Sequence, residues 1–483
     1  MLCLLGGMPE VPDVSVVIPA HNRPDELLRT LRSLTFQSLP ADAFEVIVVD
    51  DGSRDDMAAL CEAERGLADA IDLRVVRNPE SLGAAGARNR GAALAAGKVL
   101  VFLDVDCVAH PDLLTAHLAA QATRPIAACG YTYGRELTPE TWALRVGAAW
   151  DWHAIDEVFT RAESHEVLRD PLDELLSPDS HGAWAFFWTH NVSVPRDAFH
   201  TVGGFDESFP VKGVEDMELG LRLGLAGLAT RFVPTARALH QPHERARHRD
   251  LLRDRRNEFL LFTRHPLFEV EAVCSFDLLN ARTVIPALDA FTARLDPRSL
   301  DTARLSALPA ATKAIAEAER TVLIGSSAAW PRDLPRPAWT VGPTEASSAD
   351  TSYRLIGTRL PLADRQADLA VITDYWRALP EATACRVLDE ALRCAARVMV
   401  LCDVSTAPHR SPDPELSAAL GPGDRPYWEH TVAVPREFQQ FRFIGLDRAE
   451  PPQEHAGASR SFEIEAVDWP LTRLSDLTAH RTE

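Results

Sequence analysis

Lys98 to Cys107 reads KVLVFLDVDC, a Val, Leu and Phe run that ends in two aspartates one residue apart. An apolar run without polar interruption predicts a strand buried on both faces, and such strands belong to sheets covered by helices. Its acidic end then lies at the carboxyl edge of the sheet. In an extended segment Asp104 and Asp106 alternate with Val105 and share one side, close enough to hold one hard cation such as Mg²⁺ or Mn²⁺. The open positions on such a cation suit diphosphate oxygens. Taken alone, Asp-x-Asp is more often a strand-end turn or a solvated pair, so the neighbouring chain has to decide.

Upstream, Val14 to Pro19 (VSVVIP) predicts a first parallel strand. Pro24, Asp25 and Glu26 open a helix whose Leu27, Leu28, Leu31 and Leu34 keep amphipathic spacing. Phe44 to Asp51 (FEVIVVDD) is a second buried strand with an acidic end, and a helix follows from about residue 55. Strand and helix in alternation predict a doubly wound α/β sheet, in which ligands gather outside the carboxyl ends of the strands. Three such ends carry polar residues: His21 and Asn22, Asp50 and Asp51, Asp104 and Asp106. Before the third lies Gly83 to Gly91 (GAAGARNRG), where small residues allow close packing and Arg88 and Arg90 add charge that packing alone does not explain.

Composition narrows the classes. The 483 residues predict two or three domains, and 46% hydrophobic with 25% charged residues is ordinary for a globular protein. Lys+Arg 50 against Asp+Glu 70, a net charge of -20, argues against a general binder of nucleic acid or anionic membrane. The eight cysteines show no zinc spacing and fit reduced thiols. No apolar run approaches the roughly 18 residues of a spanning helix, so the expectation is a cytoplasmic protein with no integral membrane segment.

The motifs in order resemble the family 2 glycosyltransferases with the GT-A fold: VSVVIPAHNRP, VIVVDDGSRD, GAAGARNRG and VLVFLDVDC, then Thr189 to Leu228 (THNVSVPRDAFHTVGGFDESFPVKGVEDMELGLRLGLAGL), which is similar to the acceptor-side segment of galactosyl- and N-acetylgalactosaminyl-type transferases. The resemblance covers about residues 12 to 245. It implies an inverting, metal-dependent transferase moving a sugar from a nucleotide donor, a UDP-sugar first, to a hydroxyl or thiol of a glycan, natural product or peptide. It places Asp51 against the nucleobase, Pro19 and His21 in the loop near base and ribose, and Arg88 near nucleoside and phosphates. Asp104 falls near ribose or metal, and Asp106 and His240, in preference to His243, complete the Mn²⁺ or Mg²⁺ site. Asp216 becomes the general base, with Glu215 on acceptor or donor-sugar hydroxyls. Glu215 and Asp216 also suit a helix N-terminus as cap and dipole partners. Where such relatives often carry Gly-Trp-Gly before this pair, the chain has Val211-Lys212-Gly213.

Residues 131 to 190 hold Trp142, Trp150, Trp152, Trp184 and Trp188, for acceptor contact or core packing. Residues 246 to 311 predict a helical connector. Thr321 to Gly325, Leu369 to Thr373 and Val398 to Cys402 predict strands of a smaller Rossmann-like domain over 312 to 448, with a tail from 449 to 483. The stretch 312 to 405 resembles class I methyltransferases, but IGSSAAW stands where their glycine-rich loop belongs. The expectation is therefore a non-catalytic domain for acceptor docking or self-association, against two rivals: an S-adenosylmethionine-dependent methyltransferase, alone or fused, and a nucleotide-sugar-binding module without turnover.

Overall fold

The computed structural model describes residues 11–64, 66–134, 152, 155–164, 176, 181–209, 213–242, 257–276, 281–345, 347, 351–403, 412–420, 443–445 and 459–464. The chain forms two compact units, Met1–Asn257 and Glu258–Glu483. No helix among the described residues is long and apolar enough to cross a membrane.

The first unit is built on an eight-stranded sheet of β1 Val14–Ala20, β2 Phe44–Asp50, β3 Asp72–Arg77, β4 Val99–Leu103, β5 Cys107–Ala109, β6 Ala127–Tyr133, β7 Asn191–Pro195 and β8 Thr230–His240. The order is β3-β2-β1-β4-β7-β6-β8-β5. β1 to β4 run parallel, as the alternating pattern predicts. Beyond β4 the sheet is mixed, because β7 enters antiparallel to both β4 and β6. Val16, Ile18, Val46, Val48, Val101 and Leu103 pack with Leu27, Leu31 and Leu34 of helix α1 (Pro24–Leu34) in one buried cluster. Pro24 at the first turn and the acidic pair Asp25 and Glu26 start that helix where its dipole favours negative charge.

Helix α2 (Met57–Ala63) is capped by Asp56, whose side chain accepts from the Ala59 amide. Helix α3 (Gly83–Leu94) takes in the whole GAAGARNRG stretch. It lies on β1 through Gly91, where a Cβ would stand 2.4 Å from Val17 Cγ1. Helix α4 (Leu113–Thr123) follows β5, and helix α5 (Glu215–Leu225) precedes β8.

The second unit has a seven-stranded sheet of β9 Thr321–Ile324, β10 Trp339–Gly342, β11 Ser352–Arg354, β12 Ala367–Ile372, β13 Ala395–Asp403, β14 Phe443–Gly445 and β15 Ser459–Ile464. Its order is β11-β10-β9-β12-β13-β15-β14, with the first five strands parallel and β15 antiparallel to both β13 and β14.

Two boundaries differ from expectation. The stretch 246 to 311 is no mere connector over its described residues. Helices α6 (Phe268–Ser275) and α7 (Ala281–Arg294) belong to the second unit, where buried Glu271 receives the amides of Ile356, Gly357 and Thr358, and Arg294 pairs with Asp413. Within the expected tail, residues 459–464 form β15, which pairs with the whole run Val398 to Asp403 and so satisfies backbone groups that an edge strand leaves open.

Candidate active site

The site is built at the carboxyl edge of the first sheet. A crossover helix runs back against its strands, so the first turns of α3 lie at that edge and bring Arg88 to it. The Arg88 side chain is only 2% exposed, and its guanidinium divides between two carboxylates: Nη2 donates to Asp104 Oδ1 at 2.8 Å and Nη1 to Glu215 Oε1 at 3.1 Å. It also lies over the Phe205 ring. Burial works against the charge of Arg88, but Asp104 and Glu215 more than offset it and hold its pKa above the usual value.

The two aspartates of DVDC do not lie in an extended segment. β4 ends at Leu103, and the Cys107 amide donates to the Asp104 carbonyl at 3.0 Å, which closes a turn. The turn separates the carboxylates: Asp104 faces Arg88, whereas Asp106 Oδ1 lies 3.6 Å from His240 Nε2. The turn is fixed from behind, since Thr30 Oγ1 donates to the Val105 carbonyl and the Gln241 amide donates to the Asp106 carbonyl. Gln241 in turn bonds Arg29 and Thr30 of α1. Sequence reading had no signal for Thr30 or Gln241, because both act here on backbone carbonyls.

Metal fit follows from these distances. Ligand atoms each about 2.1 Å from a small divalent cation can stand 3.6 Å apart. Among the described residues no three His, Cys, Asp or Glu side chains converge as a ready-made cage. Asp106 and His240 therefore fit a cation that takes its remaining ligands from water and phosphate, the usual habit of Mg²⁺ beside a nucleotide. Asp104, expected near the ribose or metal, pairs through Oδ1 with Arg88. His243 lies outside the described residues.

At the head of α5 the backbone is unusual. Val214, a β-branched residue, has φ 73° and follows Gly213 at φ 115°. The Gly213 amide donates to Glu215 Oε2 at 2.6 Å, and Asn257 Nδ2 donates to the Gly213 carbonyl at 2.5 Å. Both Glu215 oxygens are thus engaged inside the protein, and its side chain is 4% exposed. Glu215, expected on acceptor or donor-sugar hydroxyls, holds Arg88 with one oxygen and the Gly213 amide with the other. Asp216 is partly exposed beside it, with Oδ1 accepting from Met217 N at 2.8 Å and Oδ2 from Thr189 N at 3.3 Å. Burial and the Glu215 charge push the Asp216 carboxyl up to about 7, against the opposing pull of Arg88 and the two amides. A carboxylate poised there is suited to take a proton near neutral pH.

The second strand end is organised differently. Asp51 Oδ1 accepts from Asn78 Nδ2 and Leu82 N at 2.7 and 2.8 Å, and Oδ2 from Ser81 Oγ and Gly83 N at 2.6 and 3.0 Å. Its carboxylate thereby fastens the entry to α3. Asp50 caps Ser53 and pairs with Arg77. His21 Nδ1 lies 2.8 Å from the Asp51 carbonyl, and Pro19 sits in β1 opposite Val49. Of the tryptophans, Trp184 is buried, Trp188 packs on Phe186 and His190, and Trp152 stacks on Phe36. Trp142 and Trp150 lie outside the described residues.

The first unit is similar to known glycosyltransferases. The family model described as "Glycosyl transferase family 2" matches residues 15–189. Validoxylamine A glucosyltransferase of Streptomyces hygroscopicus subsp. jinggangensis is 36% identical over 259 residues, covering 50% of this chain and 58% of that protein. Human polypeptide N-acetylgalactosaminyltransferase 15 is 26% identical over 241 residues, covering 48% and 36%. A solved structure of mannosyltransferase PcManGT from Pyrobaculum calidifontis, in complex with GDP-Man and Mn²⁺, aligns over 60% of this chain and 77% of that one at 20% identity and a TM-score of 0.40. The chain spans 58% of the length of the glucosyltransferase and less of the human protein. The match to the family model, the parallel strands β1 to β4 and the carboxylates at their ends coincide within the first unit.

Proposed function

We propose that this chain is an inverting glycosyltransferase that moves a sugar from a nucleoside-diphosphate donor to a hydroxyl or thiol acceptor. The observation that carries the reading is the placement of Asp216, partly exposed at the head of α5 beside Glu215 and the Arg88 bridge to the strand end, where burial and the Glu215 charge raise its pKa. Asp216 takes the acceptor proton as the acceptor atom bonds the anomeric carbon, and the nucleoside diphosphate departs from the opposite face with the bonding electrons. That single displacement inverts the sugar. Asp106 and His240 are proposed to hold Mn²⁺ or Mg²⁺, which when bound neutralises charge on the diphosphate. The name of the Streptomyces relative favours a glucosyl-type donor and a small-molecule acceptor as the first pair to try.

For the second unit we infer an accessory role. Ligands of doubly wound sheets enter where the strand order reverses, here between β9 and β12. At that point Thr373 packs so closely on Gly325 that a Cβ there would lie 2.3 Å from Thr373 Cγ2, and Glu345 takes the Ser327 amide at 2.6 Å. Both contacts argue against cofactor entry and so against the methyltransferase rival.

The test is release of nucleoside diphosphate from UDP-glucose, UDP-N-acetylglucosamine and GDP-mannose, with and without Mn²⁺ and a validoxylamine acceptor. Release from one donor, rising with acceptor and metal, is expected. Release from none, alongside methyl transfer from S-adenosylmethionine, overturns the reading.

A further inference from the structure

We propose that Arg88 is a positioning residue that locks the strand-end carboxylate Asp104 and the base-bearing helix α5 into one geometry, and that it does so through Glu215 and not by touching the diphosphate. The inference rests on the preceding functional reading and deepens it.

Three observations point this way. The Arg88 side chain is 2% exposed, too enclosed to present its charge to a ligand. Each terminal nitrogen already serves a carboxylate, one on a strand end and one on a helix 127 residues away in sequence. Glu215, the far end of the bridge, spends its second oxygen on the Gly213 amide, so the bridge continues into the backbone that sets the left-handed conformation of Val214 and the start of α5. Asp216 is the next residue. Its carboxylate faces Glu215, the Arg88 charge, the amides of Thr189 and Met217, and Cys129 of β6. Arg88 therefore bears on the base twice, through the placement of the helix and through its field.

The experiment is a double-mutant cycle on the full chain with Arg88→Met and Glu215→Gln. Unfolding by urea needs no substrate and is read first. Removing Arg88 alone leaves the buried Glu215 carboxylate and the partly buried Asp104 without their shared cation, so Glu215→Gln in that background should recover roughly tenfold or more in the folding equilibrium constant. Additive effects overturn the bridge.

The second readout separates positioning from mere folding. Metal-dependent nucleotide binding by the wild type establishes the donor site independently. Donor turnover against pH should then show a rising limb near 7, moved to higher pH by Arg88→Met and to lower pH by Glu215→Gln, with Arg88→Lys keeping most of the wild-type limb. In kcat the double variant should be no worse than the weaker single variant. Multiplied losses, or a loss of nucleotide affinity in Arg88→Lys while the limb stays in place, assign Arg88 to the ligand and overturn the inference. Absence of nucleotide binding by the wild type fails the functional reading instead, and leaves the unfolding cycle to judge the bridge.

Discussion

Both sheets of this chain place acidic residues near the carboxyl ends of parallel strands, and they use them in opposite ways. In the first unit Asp104 and Asp106 answer to side chains from distant elements, Arg88 on α3 and His240 at the end of β8. In the second unit Glu271 and Glu345 are instead taken up by backbone amides and hydroxyls. Glu271 receives the amides of Ile356, Gly357 and Thr358 and the Thr358 hydroxyl, while Glu345 receives the amide and hydroxyl of Ser327. A carboxylate saturated by amides is a structural fastener, whereas one facing a movable partner remains able to bind or exchange a proton. A difference of degree recurs inside the first unit, where Asp51 takes four donors and the partly exposed Asp216 takes two backbone amides.

The largest expected effect tests the reactive side of this contrast. Asp216→Asn should lower transfer by about a thousandfold while nucleotide affinity stays within a few-fold, as measured by turnover and calorimetry. The same variant should gain stability above pH 7. The folded-state pKa of Asp216 is raised, so ionising it disfavours the fold, and the penalty grows from the unfolded-state value near 4 up to about 7. Urea midpoints at pH 5 and pH 8 should therefore differ more in the wild type than in the variant. Equal loss of turnover and binding contradicts the assignment of Asp216 as base.

Next in size is the fastener of the second unit. Glu271→Leu strands at least three buried amides and should cost about 3 kcal/mol or more in unfolding free energy. Nucleotide affinity of the first unit should stay unchanged. His240→Ala should weaken Mn²⁺-dependent nucleotide binding by at least about tenfold, and leave any metal-independent part intact. The smallest effect is assigned to Asp51→Asn. As a fastener it should cost about 1 kcal/mol of stability without changing the preference among UDP, GDP and dTDP. A changed preference would instead place Asp51 on the base, as the family resemblance implies.

Much of this was legible in the chain. The runs VSVVIP, FEVIVVDD and VLVFL mark β1, β2 and β4 to within a residue or so, because strands buried on both faces are mostly apolar. Less legible was where each charged group turns. Asp104 and Asp106 look equivalent in sequence, and only the turn between β4 and β5 sends one to Arg88 and the other to His240. Glu215 and Arg88 meet across 127 residues, a distance no local pattern encodes. β15 escaped notice for a related reason. Its place beside β13 is set by pairing across more than fifty residues, and the loop-rich sequence around it reads as tail.

The most direct test of the contrast between the two sheets is calorimetric titration of the full chain with UDP, GDP and dTDP, each with and without Mn²⁺, in the wild type and in Asp106→Asn, with S-adenosylmethionine as a separate ligand. The account predicts that one nucleotide binds, that Mn²⁺ strengthens it, that Asp106→Asn removes the metal-dependent part, and that S-adenosylmethionine gives no heat of binding. Binding of S-adenosylmethionine with no metal-dependent nucleotide binding would contradict it, and would place the working site at the second sheet.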